Sequence, residues 1–253
     1  MALRTRTILA SGGVLVLAAV TTGCGGAEAA EDRAPEHRAF AFSGRTLTVD
    51  TENSDIELVP ADVEKVEVTR WFSGWTAVGG DVEQTWEMKG DTLRLEVGCG
   101  GLINNCDARH RVEVPRGVAV TVEDDNGTVR ASGFDTGLKL SSGNGTVRVE
   151  DSRGPLELSS DNGQVTATGV ASRRVSADSD NGEVQLAFTQ VPDQVETTSD
   201  NGEIHIELPR ASYRVEAQSS NGETDVGVPQ DDRSGHSVTA HSDNGEVTLR
   251  TAN

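Results

Sequence analysis

Along the second half of the chain, apolar and polar side chains alternate in short runs, and pairs of runs are divided by the dipeptide Asn-Gly. One unit reads Leu138, Leu140, Ser142 and Asn144, then Val147 and Val149 beyond the glycine. The next gives Leu156, Leu158, Ser160 and Asn162, then Val165 and Ala167. Further on come Val195, Thr197, Ser199, Asn201, Ile204 and Ile206, and finally Val238, Ala240, Ser242, Asn244, Val247 and Leu249. The intervening residues are mostly charged or polar. Period two on both sides of a turn predicts two short strands per unit, each with one buried and one solvated face. Glycine supplies a position with positive φ and Asn tolerates the left-handed region, so the pair predicts a tight change of direction.

The Asn-Gly pairs begin at Asn126, Asn144, Asn162, Asn181, Asn201, Asn221 and Asn244, in steps of 18, 18, 19, 20, 20 and 23 residues. A fixed period near this length marks a stacked repeat. Two folds fit. In an antiparallel β-meander, Asn-Gly is a hairpin turn that sets Ser142 opposite Val147. In a parallel β-helix it is a bend within one coil, and equivalent residues of successive coils lie about 4.8 Å apart. Repetition of identity favours the second. Stacked Ser142, Ser160, Ser179, Ser199 and Ser219, beside a structural ladder of the seven asparagines, would hydrogen-bond inside the rod. The expected fold is therefore all-β, a single-stranded parallel β-helix (β-solenoid) with about 18–23 residues per coil. About eight to ten coils would make a rod on the order of 40–50 Å long.

The start of the chain carries a different signal. Arg4 and Arg6 precede an apolar stretch from Ile8 to Val20, followed by Thr21-Thr22-Gly23-Cys24. That is the layout of a secretory signal, too short to span a bilayer. Gly23-Cys24 resembles the lipobox of bacterial lipoproteins, with Thr21 where Leu is usual. The resemblance implies that Cys24 is lipidated and becomes the first mature residue, anchored firmly in the membrane on its extracellular face. The organisation expected is a signal peptide at 1–23, lipidated Cys and flexible tether at 24–39, and a β-solenoid domain at 40–253. Within that domain 40–115 is irregular and 116–253 regular.

Charge and cysteines narrow the partners. The chain has 41 acidic residues against 22 basic ones and a net charge of -19. With no basic patch to neutralise phosphates, nucleic acid is excluded as a partner. Cys99 and Cys106 are separated by only six residues, and in an exported chain such a pair predicts a disulfide. Zinc would need more ligands than the nearby His110 and lacks a CxxC spacing, so no metal or cofactor is expected.

Two groups of side chains are candidate sites. Trp71, Phe72, Trp75 and Trp86 concentrate the tryptophans of the chain. They either stack on a cell-wall glycan or close the first coils, since terminal repeats must cover an exposed core. Asp180, Asp200 and Asp243 precede their asparagines, while Glu183, Glu203, Glu223 and Glu246 follow their glycines. Stacking would line these carboxylates along one ridge, either as a calcium site or as a solvated face. In water, unit charges about 4.8 Å apart repel by only about 0.9 kcal/mol, which favours the solvated face. There is no GxSxG, HExxH or GxxxxGK[ST], and His37, His110, His205, His236 and His241 follow no catalytic spacing.

The lipobox, the Cys pair ahead of VEVPRGVAVTVEDDNG and the repeated SDNGEV units resemble the bacterial candidate-adhesin β-strand-repeat family of unknown function. The resemblance spans roughly residues 45–253 and is most specific in the repeats. It implies an exported or membrane-tethered solenoid and brings no active site. Together these readings predict a cell-surface lipoprotein with a non-enzymatic scaffold, an adhesin or envelope-binding module whose partner is a cell-wall glycan or envelope protein. The alternative is a polysaccharide-active β-helix enzyme, a lyase or hydrolase.

Overall fold

The alternation along the chain becomes 21 strands, with no helix among the described residues. The structure is a computed structural model that describes residues 34–76, 82–100 and 104–252, the side chains of Trp75, Thr76, Asn104 and Asn105 excepted. The strands are β1 (Glu36–Phe40), β2 (Thr46–Thr51), β3 (Asp55–Ala61), β4 (Val66–Thr76), β5 (Val82–Lys89), β6 (Thr92–Cys99) and β7 (Asn104–Pro115). There follow β8 (Ala119–Asp124), β9 (Val129–Ser132), β10 (Leu138–Ser142), β11 (Val147–Glu150), β12 (Leu156–Ser160), β13 (Val165–Val170) and β14 (Arg174–Ser179). The last are β15 (Val184–Phe188), β16 (Gln194–Ser199), β17 (Ile204–Leu208), β18 (Arg214–Ser219), β19 (Thr224–Gly227), β20 (Ser237–Ser242) and β21 (Val247–Thr251).

Each Asn-Gly pair joins a strand of one sheet to a strand of the other, so it is a corner of a coil and not a hairpin. Successive coils run parallel and in register: Leu138 lies over Leu156, Lys139 over Glu157 and Ser142 over Ser160. The inward positions form one continuous core; Leu140, Leu158, Val147, Val165, Leu186 and Val195 are all fully buried. The fold is thus a parallel β-solenoid of two facing sheets, one with 11 strands and one with 10. Setting aside β5 in the smaller sheet, and β1 and β4 in the larger, leaves nine parallel rungs. At about 4.8 Å per rung these make a rod roughly 40 Å long.

The coils are not stacked in chain order. The last one, β20–β21, lies between β16–β17 and β18–β19. The longest Asn-Gly step, from 221 to 244, supplies the extra residues that carry the chain back past one rung. The first coil, β2–β3, is likewise interior, between β6–β7 and β8–β9. The coil of Asn244, last in the chain, is therefore not the end of the rod. That place belongs to β18–β19, where Val215 and Ala217 are only half-buried. The opposite end is closed by antiparallel strands, with β5 on β6 and with β4 on β7 and β1 on β4. Residues 40–115, expected to be irregular, hold two parallel rungs and, apart from most of β1, this cap.

Two physical readings of the repeat also need correction. None of the Asn-Gly glycines has positive φ; among the described glycines only Gly90, Gly117, Gly133 and Gly169 do. Glycine is required instead by close stacking, because a Cβ on Gly145, Gly163, Gly182 or Gly202 would collide with the carbonyl oxygen of the stacked glycine one coil below. Nor are the asparagines inside. All seven are exposed along one corner, where each donates from Nδ2 to Oδ1 of its neighbour. The pairs 144–126, 162–144, 181–162 and 201–181 are all 3.0 Å, and Asn244–Asn201 and Asn221–Asn244 are 3.1 Å. Asn126 continues the ladder to Asn53 at 3.3 Å. The serines are buried, apart from the half-buried Ser219, but do not bond one another. Ser160, Ser179 and Ser242 each donate to a glycine carbonyl of the adjacent rung at 2.8–2.9 Å. Satisfying a buried hydroxyl this way is worth about 1 kcal/mol, and orphaning it costs more.

At the outermost parallel coil, a disulfide between Cys99 and Cys106 (Cα atoms 6.2 Å apart) closes the corner between β6 and β7. A loop this short is worth roughly 2.5 kcal/mol of chain entropy.

Candidate functional site

The aromatic residues grouped in sequence are divided by the fold. Trp86 is opposite the buried Leu95 and packs against the core. The guanidinium of Arg70, itself buried, sits 4.1 Å over its ring, and Arg38 donates to its carbonyl at 2.8 Å. Trp86 is therefore a plug in the capped end. Phe72 lies at the disulfide corner, where a Cβ on Gly74 would strike its ring and the Cys106 sulfur. Trp71 is half-exposed with the Arg109 guanidinium 4.4 Å over its ring. Trp75 belongs to β4, but its side chain lies outside the described residues, as does Cys24.

The carboxylates expected along a ridge do line the Asn corner, and four of them are engaged locally. Glu203 pairs with His205 at 3.0 Å and Asp243 with His241 at 3.1 Å, while Glu183 and Glu246 accept from Gln164 and Thr248. Among the described residues, no group of three His, Cys, Asp or Glu side chains is placed to hold a metal ion.

Two outer faces carry concave ground. On the 10-stranded sheet an open groove of about 560 Å³ crosses six strands from β2 to β16 along the rod axis. Its floor holds the small residues Ala119, Gly137 and Pro155, beside Lys139, Glu157 and Arg174. Lys139 donates to Glu157 on the next rung, which raises the pKa of the ammonium above its usual value. On the 11-stranded sheet two smaller hollows, about 220 and 350 Å³, share Glu57 and Arg130. There the register aligns Arg111, Glu57, Arg130 and Arg148 in one column. Arg111 pairs with Glu57, Arg130 with Asp55 at 3.8 Å and Arg148 with Glu150 at 2.7 Å. Sequence reasoning missed this lattice, although the outward arginines of Arg111-Val112-Glu113 and Arg148-Val149-Glu150 were visible in the alternation.

One buried polar group was also missed. Asp124 occupies the position that holds serine in the following coils and accepts from Ser142 at 3.2 Å through Oδ2. Its Oδ1 is buried without a hydrogen-bond partner, and burial pushes its pKa up to about 7. On the next rungs Ser54 meets Thr51 at 2.9 Å and His110 Nδ1 at 3.2 Å. Burial, aided by Arg70, pushes the His110 pKa down to about 3. His110 is fully buried, so this cluster has no access to a substrate and acts on stability.

Three solved structures resemble the chain at low identity. A candidate cell adhesion protein from Clostridium sporogenes is 12% identical, with 87% of this chain and 99% of that one covered and a TM-score of 0.37. A candidate adhesin from Bacteroides fragilis is 14% identical over 87% of this chain and 98% of that one, at a TM-score of 0.39. Another from Parabacteroides merdae is 11% identical over 87% and 96%, at 0.40. No curated protein matches. The family profile of Toastrack DUF4097 matches residues 45–253, which span both facing sheets and every Asn-Gly corner described above. This chain belongs to the Toastrack DUF4097 family.

Proposed function

We propose that the chain is a cell-surface lipoprotein whose solenoid is a non-enzymatic scaffold, an adhesin or envelope-binding module held on the membrane through Cys24. The observation that carries this reading is the open groove on the 10-stranded sheet. It runs along the rod, and its charged side chains are spread over successive rungs, with Lys139 paired to Glu157 on the next, instead of converging on one point. Such ground fits an extended polymer of the envelope and gives no focus for bond cleavage. The lipobox resemblance at Gly23-Cys24 supports the anchor.

Cell fractionation and cosedimentation with isolated cell-wall sacculi test both halves. The wild-type chain is expected in the membrane fraction and in the sacculus pellet. Cys24→Ser should move it to the medium, and Lys139→Gln with Arg174→Gln should weaken sedimentation by about tenfold. Release of new reducing ends from the sacculi would instead make it an enzyme.

A further inference from the structure

We infer a second binding surface, independent of the groove: the arginine–carboxylate lattice with Trp71, on the outer face of the 11-stranded sheet near the capped end, takes an uncharged, hydroxyl-rich polysaccharide. Three observations meet there. The column Arg111, Glu57, Arg130 and Arg148 climbs the rod one rung at a time, about 14 Å in three steps of ~4.8 Å. Two hollows sharing Glu57 and Arg130 make the ground over it continuous. Trp71 stands at its edge beside Arg109, on the stretch of β4 beyond Arg70, where the pairing with β1 stops.

The chemistry selects the ligand class. Guanidinium groups present donors in a planar fork and carboxylates present acceptors, so setting both along one axis matches the paired hydroxyls of a sugar chain. Their mutual ion pairs hold the side chains in place before a ligand arrives, which lowers the ordering cost of binding. The half-exposed ring of Trp71 offers an apolar body with a polar tip, suited to the C–H face of a pyranose. The lattice is locally balanced, with Arg111, Arg130 and Arg148 against Asp55, Glu57 and Glu150. A polyanion would gain little from it and would meet the field of a chain carrying -19. Farther along the same face the register substitutes Thr166 and Gln185 for arginine, so the lattice ends where the hollows end.

Affinity electrophoresis of the chain as purified from cells, in gels containing laminarin, dextran, galactomannan or polygalacturonate, tests the assignment. Retardation by at least one uncharged polymer is expected, weakened about tenfold by Trp71→Ala and by Arg130→Gln, and largely kept by Trp71→Phe. Lys139→Gln, in the other groove, should leave it unchanged. An unchanged denaturant midpoint in each variant separates lost binding from lost folding. Retardation by polygalacturonate alone, by no uncharged polymer, or by one in a manner indifferent to Trp71 and Arg130 overturns the inference. Sacculus binding by the wild-type chain, together with no retardation by any uncharged polymer, overturns only this surface and leaves the envelope-binding reading intact.

Discussion

Gly163→Ala is expected to destabilise the solenoid by about 3 kcal/mol or more. The new methyl would be driven into the carbonyl oxygen of Gly145, a backbone atom that already accepts the Ser160 hydroxyl. Relief requires separating two coils, which also strains the Ser160–Gly145 and Ser179–Gly163 hydrogen bonds. Gly137 is the control. Nothing lies nearer than 3.8 Å to a Cβ built there, so Gly137→Ala should change stability by less than about 1 kcal/mol and in the stabilising direction, through the unfolded chain. Equilibrium urea unfolding measures both. Equal effects at the two positions would refute the stacking explanation and return the glycines to a role in the turn itself.

The second large effect depends on pH. Asp124 holds its proton in the folded protein up to about pH 7, against an ordinary 3.8. Below about pH 4 both states carry the proton and burial costs nothing. As pH rises from there to about 7 the unfolded chain releases the proton and the folded one does not, so stability falls; above about 7 the full penalty remains. The rise from 3.8 to about 7 sets an upper limit of about 4 kcal/mol, which solvent screening of the partly wetted carboxyl reduces. Asp124→Ser restores the residue of the following coils, so its gain should be near zero at pH 4 and largest, within that limit, at pH 8. His110 has the opposite sign. Its pKa is lowered from 6.5 to about 3, so its contribution is present above pH 6.5 and lost as pH falls toward 3. The two slopes oppose each other in the wild type, and removing Asp124 should expose a loss of stability on acidification below pH 6.5. A gain from Asp124→Ser that is the same at pH 4 and pH 8 would show that the carboxyl is not held protonated.

Period-two alternation was enough to place the regular strands, and the recurrence of serine and asparagine was enough to choose parallel coils over hairpins. What stayed hidden has physical causes. Each Asn-Gly unit carries the same local signals, so nothing in the sequence orders the coil of Asn244 relative to that of Asn221; only the longer step between them hints at a detour. The glycine requirement looked like turn chemistry because close backbone approach depends on a neighbour nearly 20 residues away. The three tryptophans are close in sequence, but Trp71 and Trp86 lie on different strands of different sheets, one half-exposed on a face and the other plugging the core. The Arg lattice is assembled from β3, β7, β9 and β11 and exists only once those rungs are stacked.

Cross-linking gives the most direct test of rung upon rung. Thr198 and His241 are register partners on β16 and β20, and Gln218 pairs with His241 from the far side. Adjacent parallel strands bring Cα atoms within reach of a disulfide. A Thr198→Cys/His241→Cys chain should therefore oxidise to an intramolecular bond in the folded state, while Thr198→Cys/Gln218→Cys should not. Bonding of the second pair and not the first would mean coils stacked in chain order. Failure of both pairs, in a protein that still unfolds cooperatively, would contradict the parallel in-register solenoid itself.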